Sequence, residues 1–485
     1  MNGLYKKVSS TFVIKVLGFG IAFVFQVILS RMLQLEAYGQ YTMFITYINI
    51  LLIIAVLGMD RNLIKEIAKV DDNKFRAKRL LKFSLEVSLS IFFFLSVFVF
   101  IFRNTFTIAN NMVHLFLLML FIKILVSISD GFLQGAGLVV KVTFLNDLFN
   151  NILKILFFII LIALGIQGLR AAIYSFIASE VVTLLFRITI IRKWIKKSTN
   201  NEKLSSCEKT EFVKYSVTVA LISGIGLLLQ NVDKIMIAKL LDLKSVGIYK
   251  VAQNYVALIS IFVSPFIAFW PIITKLYNEN KLNEIENEMK KIVKIVTYLV
   301  IPMFFIFLFL GDNMLAIFGN EYNTDPSKRV LLILAFAFLV DAISGPVGSI
   351  LTMTNYAKYI LINNIICLFL NILLNIIFMK FFGVVGVAIG TAVSIMVSNL
   401  ISIIEVKLIL GIFSYDYKNL IQIISFSIIN FVLSIFLKKI LNLNSNFLYI
   451  ILFSMLLYII NFSIIFFMNR KIIVKKLFRK RVGAI

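Results

Sequence analysis

Histidine occurs once in this chain, at His114, and cysteine twice, at Cys207 and Cys367. A single imidazole cannot build a His-based metal site. Two thiols, one in a basic stretch and one in an apolar run, imply neither a disulfide framework nor a metal cluster. Proline is nearly as scarce, with 5 in 485 residues, and charged residues make up only 15%. No Gly-rich loop leads into a phosphate-binding Lys, no Ser/His pairing suggests a nucleophile, and no metal motif is present. Neither ATP hydrolysis nor hydrolytic chemistry is encoded by such motifs, so the chain reads as a non-enzyme that needs no cofactor. Energy for any work it does has to come from a gradient, the membrane potential or another protein.

What the sequence has in excess is apolar side chain. Hydrophobic residues make up 60% of it and the mean hydropathy is +0.98, more apolar surface than a soluble core can hide. Long apolar runs such as Phe447 to Met468, which carries no charge, match the roughly 20 residues that cross a hydrocarbon layer. The formal net charge of +25 is large enough to suggest nucleic acid. The Lys and Arg residues cluster between apolar runs, however, as they do in cytoplasmic loops of membrane proteins, so no nucleic-acid partner is expected. Lys6 and Lys7 ahead of an apolar stretch resemble a signal peptide. No small-residue cleavage site closes that stretch, and it reads as the first span.

Apolar periodicity predicts an all-α integral membrane protein with about fourteen transmembrane helices, the first near 11–33 and the last near 446–468. An even count puts both termini on one side. That side is expected to be the cytoplasm, because Arg61 to Lys82, Arg192 to Lys214, Lys275 to Lys294 and Arg470 to Arg481 are Lys/Arg-rich and all fall there. The expected location is a bacterial plasma (inner) membrane. Loop basics such as Arg192, Lys193, Lys196 and Lys197 are expected to fix topology and to touch membrane lipid head groups.

An internal repeat is the most informative pattern. Leu33, Leu35, Gly39 and Tyr41 align with Leu241, Leu243, Gly247 and Tyr249, and Tyr47 with Tyr255. At nearly the same offset Asn146 falls opposite Asn363, Lys141 opposite Lys358, and Gly165 and Gly168 opposite Gly383 and Gly386. The repeat divides the chain into an N-terminal six-helix lobe, 1–195, a C-terminal six-helix lobe, 196–411, and two further helices with a basic tail, 412–485. Each half has an even number of spans, so the repeats are parallel, a plan used by transporters with a site between halves and alternating access.

Charge at membrane depth costs roughly 2.5 kcal/mol or more and needs a reason. Asn146, Asn150 and Lys154 recur every four residues in the fifth span and so stack on one helical face, which should look into a hydrated interior. The plainer reading is a Lys paired with Asp147 or Asp130. In the first span Lys15, Gln26 and Ser30 share a face; in its repeat partner Gln230 and Lys234 do the same, with Lys234 at the position of Gln26. Asp130, Asp233 and Asp341, together with Glu180, are candidates to bind a coupling cation or proton. Gly18, Gly20, Gly224, Gly226, Pro265, Pro302 and Pro346 mark places where helices are expected to bend.

The stretch Arg31 to Tyr41, with its Tyr38-Gly39-x-Tyr41, resembles the opening of the polysaccharide-unit flippases, such as O-antigen flippases, in the multidrug/oligosaccharidyl-lipid/polysaccharide exporter superfamily. Gly58 to Arg61, Asp233 to Ile237, Val246 to Tyr249 and Phe382 to Thr391 are similar to further short motifs of that family. The resemblance implies a two-lobed bundle that moves an undecaprenyl-diphosphate-linked oligosaccharide from the inner to the outer leaflet. It also makes a polysaccharide polymerase complex a candidate partner. By position it marks Arg31, Arg61 and Asp233; Lys15, Lys154 and Lys234 follow from the residues themselves, as does an Asn371 opposite Lys154 that makes the first lobe the more cationic. Two other readings stay open here. One is a cation-coupled multidrug exporter of the same fold, which would need an anionic cavity. The other is a membrane polymerase, ligase or glycosyltransferase acting on lipid-linked sugars, which would need a larger external loop than the one around Asp312 to Ser327.

Overall fold

A computed structural model describes residues 2–69, 74–103, 112–195, 205–263, 270–413, 417–441 and 448–463. The expectations for Lys196, Lys197, Pro265 and the basic tail from Arg470 lie outside these residues. Among the described residues the chain is helical and contains no strand. Lipid offers the backbone no hydrogen-bond partner, so apolar runs of this length satisfy their N–H and C=O groups internally as helices.

The helices are α1 (Asn2–Met32), α2 (Leu35–Val56), α3 (Met59–Ala68), α4 (Lys74–Ile101), α5 (Val113–Gly135), α6 (Val139–Thr143), α7 (Asn150–Ala163), α8 (Gly168–Ile195) and α9 (Ser206–Leu240). They continue with α10 (Leu243–Val263), α11 (Trp270–Asn278), α12 (Leu282–Phe318), α13 (Asp325–Ser344), α14 (Val347–Met353), α15 (Ala357–Phe382), α16 (Val384–Leu410) and α17 (Tyr417–Leu441), and a shorter apolar helix, α18, covers Leu448–Ser463. Among the described residues twelve helices are long and apolar enough to cross a membrane, or 13 if α13 and α14, bent by 45° at their junction, form one span. The last expected span corresponds to α18, as far as its residues are described. This is a multi-pass membrane protein.

Contacts divide the chain into two compact units, Met1–Lys250 and Val251–Ile485. In the first, α2 and α5 each bury 61% of their most apolar stretch and form the centre, whereas α1 and α4 bury only 17% and lie at the periphery. Phe93 and Phe94 of α4 are exposed, as expected of rings that meet lipid tails. In the second unit α12 has 67% of its stretch buried; α13 and α17 pack against it, α16 packs on α13, and α15 on α16. Local signals set several ends: Ser205 and Glu208 form a reciprocal capping box at the start of α9, and Thr324 caps α13.

The expected bends fall differently from the glycines. Helices α1 and α9 run unbroken through Gly18, Gly20, Gly224 and Gly226, and α12 through Pro302. Gly18 instead permits close packing, since a Cβ there would lie 2.3 Å from the Asp147 carbonyl oxygen. The break lies at Gly345 and Pro346, where Gly345 adopts a positive φ of 82° between α13 and α14. A π-helical turn, Phe144–Phe149, joins α6 to α7.

Candidate functional site

The π turn and the first residues of α7 carry the Asn146, Asn150 and Lys154 stripe, and α5 and α8 pack against it. Asn146 donates to Asp130 Oδ2 at 2.8 Å and accepts from Arg187. Arg187 is fully buried, and its Nε donates to Asp130 Oδ1 at 2.7 Å. Asn150 donates to Glu180 Oε1 at 2.9 Å, and Lys123 reaches the same oxygen at 3.1 Å. Lys154 Nζ donates to Asn151 Oδ1 at 3.3 Å and stands 4.6 Å from the centre of the Phe176 ring. Its charge also feels Glu180, Lys123 and Asp147, and Asp147 in turn feels Lys15. Asp130, which could have paired with Lys154, is taken by Arg187.

A second polar group lies where α9 meets α10. Lys234 Nζ donates to Asn231 Oδ1 at 2.7 Å, and Asp233 Oδ2 accepts from Tyr249 Oη at 2.6 Å. Lys250 is close enough to act on the Lys234 charge. The repeat partner behaves alike: Gln26 of α1 accepts from Tyr38 of α2 at 2.8 Å. Each leading helix is thus tied to the next by a buried tyrosine hydroxyl. The two glycines aligned by the repeat meet the opposite helix start. A Cβ on Gly39 would lie 1.8 Å from Leu243 O, and one on Gly247 2.9 Å from Leu35 O.

The remaining candidates are dispersed. Lys15, Arg31, Arg61 and Gln230 are exposed, and Asp341 lies in the second unit, where its Oδ1 accepts from Asn399 Nδ2 at 2.8 Å. The stretch around Arg61 has another role as well. Gly58 sits at φ 70°, and its hydrogen faces Ser216 O, where a Cβ would lie at 2.4 Å. Asn62 then donates to Phe212 O at 2.8 Å and to Ser216 Oγ at 3.0 Å, docking α3 on α9. Burial pushes the Asp60 carboxyl above its ordinary range, against the opposing pull of Arg61 and of a hydrogen bond from Ser127. Residues that the sequence did not single out are Lys123 and Arg187, the two cations that neutralise Glu180 and Asp130. Their signal is weak along the chain, since Arg187 stands just ahead of the basic end at Arg192 and reads as part of it.

Cations outnumber carboxylates in both groups. Lys15, Lys123, Lys154 and Arg187 face Asp130, Asp147 and Glu180, and Lys234 and Lys250 face Asp233. In the first group the excess comes from the exposed Lys15, and the half-buried Lys123 and Lys154 with Arg187 otherwise match the three carboxylates; a cation excess at membrane depth suits an anionic ligand that completes the pairing.

Residues 4–277, more than half of the chain, match the family model described as polysaccharide biosynthesis protein. The chain belongs to that family. Residues 219–377 also match the MatE model, which places the family in the multidrug/oligosaccharidyl-lipid/polysaccharide exporter superfamily, as the sequence motifs imply. Family relatives include a protein described as a probable low-salt glycan biosynthesis flippase, Agl15, of Haloferax volcanii, 29% identical over 50% of this chain and 50% of the relative. The capsular polysaccharide biosynthesis protein CapF of Staphylococcus aureus is 26% identical over 39% of this chain and 48% of its own length. The chain thus spans about half the length of these curated relatives. Among solved structures, the lipid II flippase MurJ in an inward closed conformation aligns with a TM-score of 0.73 at 16% identity, covering 97% of this chain and 100% of that one. An inward-facing multidrug resistance MATE transporter aligns with a TM-score of 0.65 at 18% identity, over 81% and 94%. At these identities the likeness establishes a shared fold.

Proposed function

We propose that this protein flips undecaprenyl-diphosphate-linked oligosaccharide repeat units from the cytoplasmic to the outer leaflet by alternating access, for O-antigen or capsule synthesis. The carrying observation is the excess of Lys and Arg over carboxylates in the two polar groups of the first unit, which include the half-buried Lys154 and the buried Lys234. A diphosphate brings the matching negative charge, whereas a cationic drug would meet like charge. Family membership and the flippase and capsule descriptions of the relatives support the same reading. Lys15, Gln26, Arg31, Arg61, Asn146, Asn150, Lys154, Gln230 and Lys234 contribute substrate contacts in this proposal. Asp130, Asp233 and Asp341 are the candidates for ion coupling, and the repeats 1–195 and 196–411 act as the two halves, with 412–485 appended.

The protein resides in a bacterial plasma membrane with both termini in the cytoplasm, its basic segments near anionic lipid, and a polymerase complex takes over its product. An inside-negative potential favours outward movement of negative charge by about 2.3 kcal/mol per charge per 100 mV. Deleting the gene is expected to make a lipid-linked oligosaccharide accumulate on the cytoplasmic leaflet, and Lys154→Ala and Arg61→Ala to fail in complementation. Normal surface polysaccharide in the deletion strain would overturn the proposal in favour of drug export.

A further inference from the structure

The second unit has a partly open cavity of about 510 Å³ that the cationic groups of the first unit do not explain. It lies where α10 and α13 end and α15 begins, the end of the bundle that also carries the basic segment starting at Lys275. Its described walls include Ser260, Trp270, Asp341, Asn364, Ser398 and Asn399, and no Lys or Arg. Asp341 spends one oxygen on Asn399 Nδ2, and its other oxygen has no partner among the described residues. The side chains of Ser260, Asn364 and Ser398 likewise make no hydrogen bond to a described residue. Trp270 has a buried Nε1–H with no acceptor among them, and its side chain also borders a second cavity of about 610 Å³ with Thr274, Lys275 and Asn278.

A cavity of this volume falls in the range that holds a small ligand. Its unspent groups are a carboxylate oxygen, a carboxamide, hydroxyls and an indole N–H, which mix donors with acceptors. A diphosphate would meet a carboxylate there with no cation to offset it. A sugar ring, by contrast, offers hydroxyls that both donate and accept around its edge and C–H faces that pack on an aromatic surface. We infer that this cavity is a saccharide-binding pocket, in which Asp341, Asn399, Asn364 and Trp270 hold a sugar residue of the transported lipid-linked unit. The inference rests on the function proposed above, takes Asp341 out of its ion-coupling candidates as a sugar ligand, and assigns the sugar-recognising part to the second unit, whereas the cationic groups belong to the first.

Only two tryptophans are present, Trp194 and Trp270, so Trp194→Phe leaves Trp270 as the sole indole. With the full-length variant in nanodiscs, free glucose, galactose and N-acetylglucosamine are titrated singly while indole emission is recorded, with sodium chloride and inorganic pyrophosphate as separate arms. At least one saccharide is expected to give a saturable change, and Asp341→Asn, which keeps the shape of the side chain, to weaken it about tenfold. No response to any of the sugars, or an Asp341-dependent response to sodium or pyrophosphate alone, would overturn the pocket. Transport without a saccharide response sinks the pocket only. A saccharide response in a protein that moves no lipid-linked sugar sinks the transport reading and leaves the pocket standing.

Discussion

An alanine at position 39 would carry its methyl group to 1.8 Å from the Leu243 carbonyl oxygen, a distance at which backbone has to move. Gly39→Ala is therefore expected to destabilise the protein by about 1–3 kcal/mol, read as a lower midpoint of thermal unfolding in detergent. Gly20→Ala, with open space around it, should leave the midpoint unchanged, and equal midpoints for both variants would refute the packing role. Arg187 gives a second residue-scale expectation. Replacing it by Met strands Asp130 in an apolar interior, at a cost of about 3–5 kcal/mol, and adding Asp130→Asn should restore most of that stability. No recovery in the double variant would show that the ion pair is not what Arg187 supplies. At this scale the sequence displayed the Asn146–Asn150–Lys154 stripe, because a four-residue spacing survives in the linear text. It did not display Lys123 and Arg187 as partners of Glu180 and Asp130, because those pairings join α5 and α8 across a gap that only packing closes.

Among the elements, hydropathy reports the long spans well, since the bilayer imposes one length on all of them. It is blind to elements that do not cross. Helix α3 reads as the start of a basic loop, yet Asn62 docks it on α9 by two hydrogen bonds. Asn62→Ala is expected to speed backbone hydrogen exchange in residues 59–68 and 212–216, and unchanged protection there would show that the docking is held by other contacts. The π turn before Asn150 has no signature in residue type, and the chain breaks between α13 and α14 at Gly345 and Pro346 because a positive φ and a missing N–H coincide there.

For the molecule as a whole, the internal repeat is what suggested a two-lobed plan, and Gly39 and Gly247, which it aligns, each lie against the opposite helix start. The proposed orientation rests on the basic segments and is open to a simple check. Cys207 is exposed and Cys367 is buried, so a membrane-impermeant maleimide should label Cys207 only from the cytoplasmic side; labelling in intact cells would invert the topology. In the proposed reading the identity of the sugar was not legible, since it would depend on cavity walls assembled from α10, α11, α13, α14, α15 and α16. The most direct measurement is reconstitution of the purified protein in liposomes with a fluorescent undecaprenyl-diphosphate-linked oligosaccharide, following how fast the labelled head group crosses to the other leaflet. The account predicts faster crossing than in protein-free vesicles and about tenfold slower crossing for Lys154→Ala. Equal rates with and without the protein would contradict it.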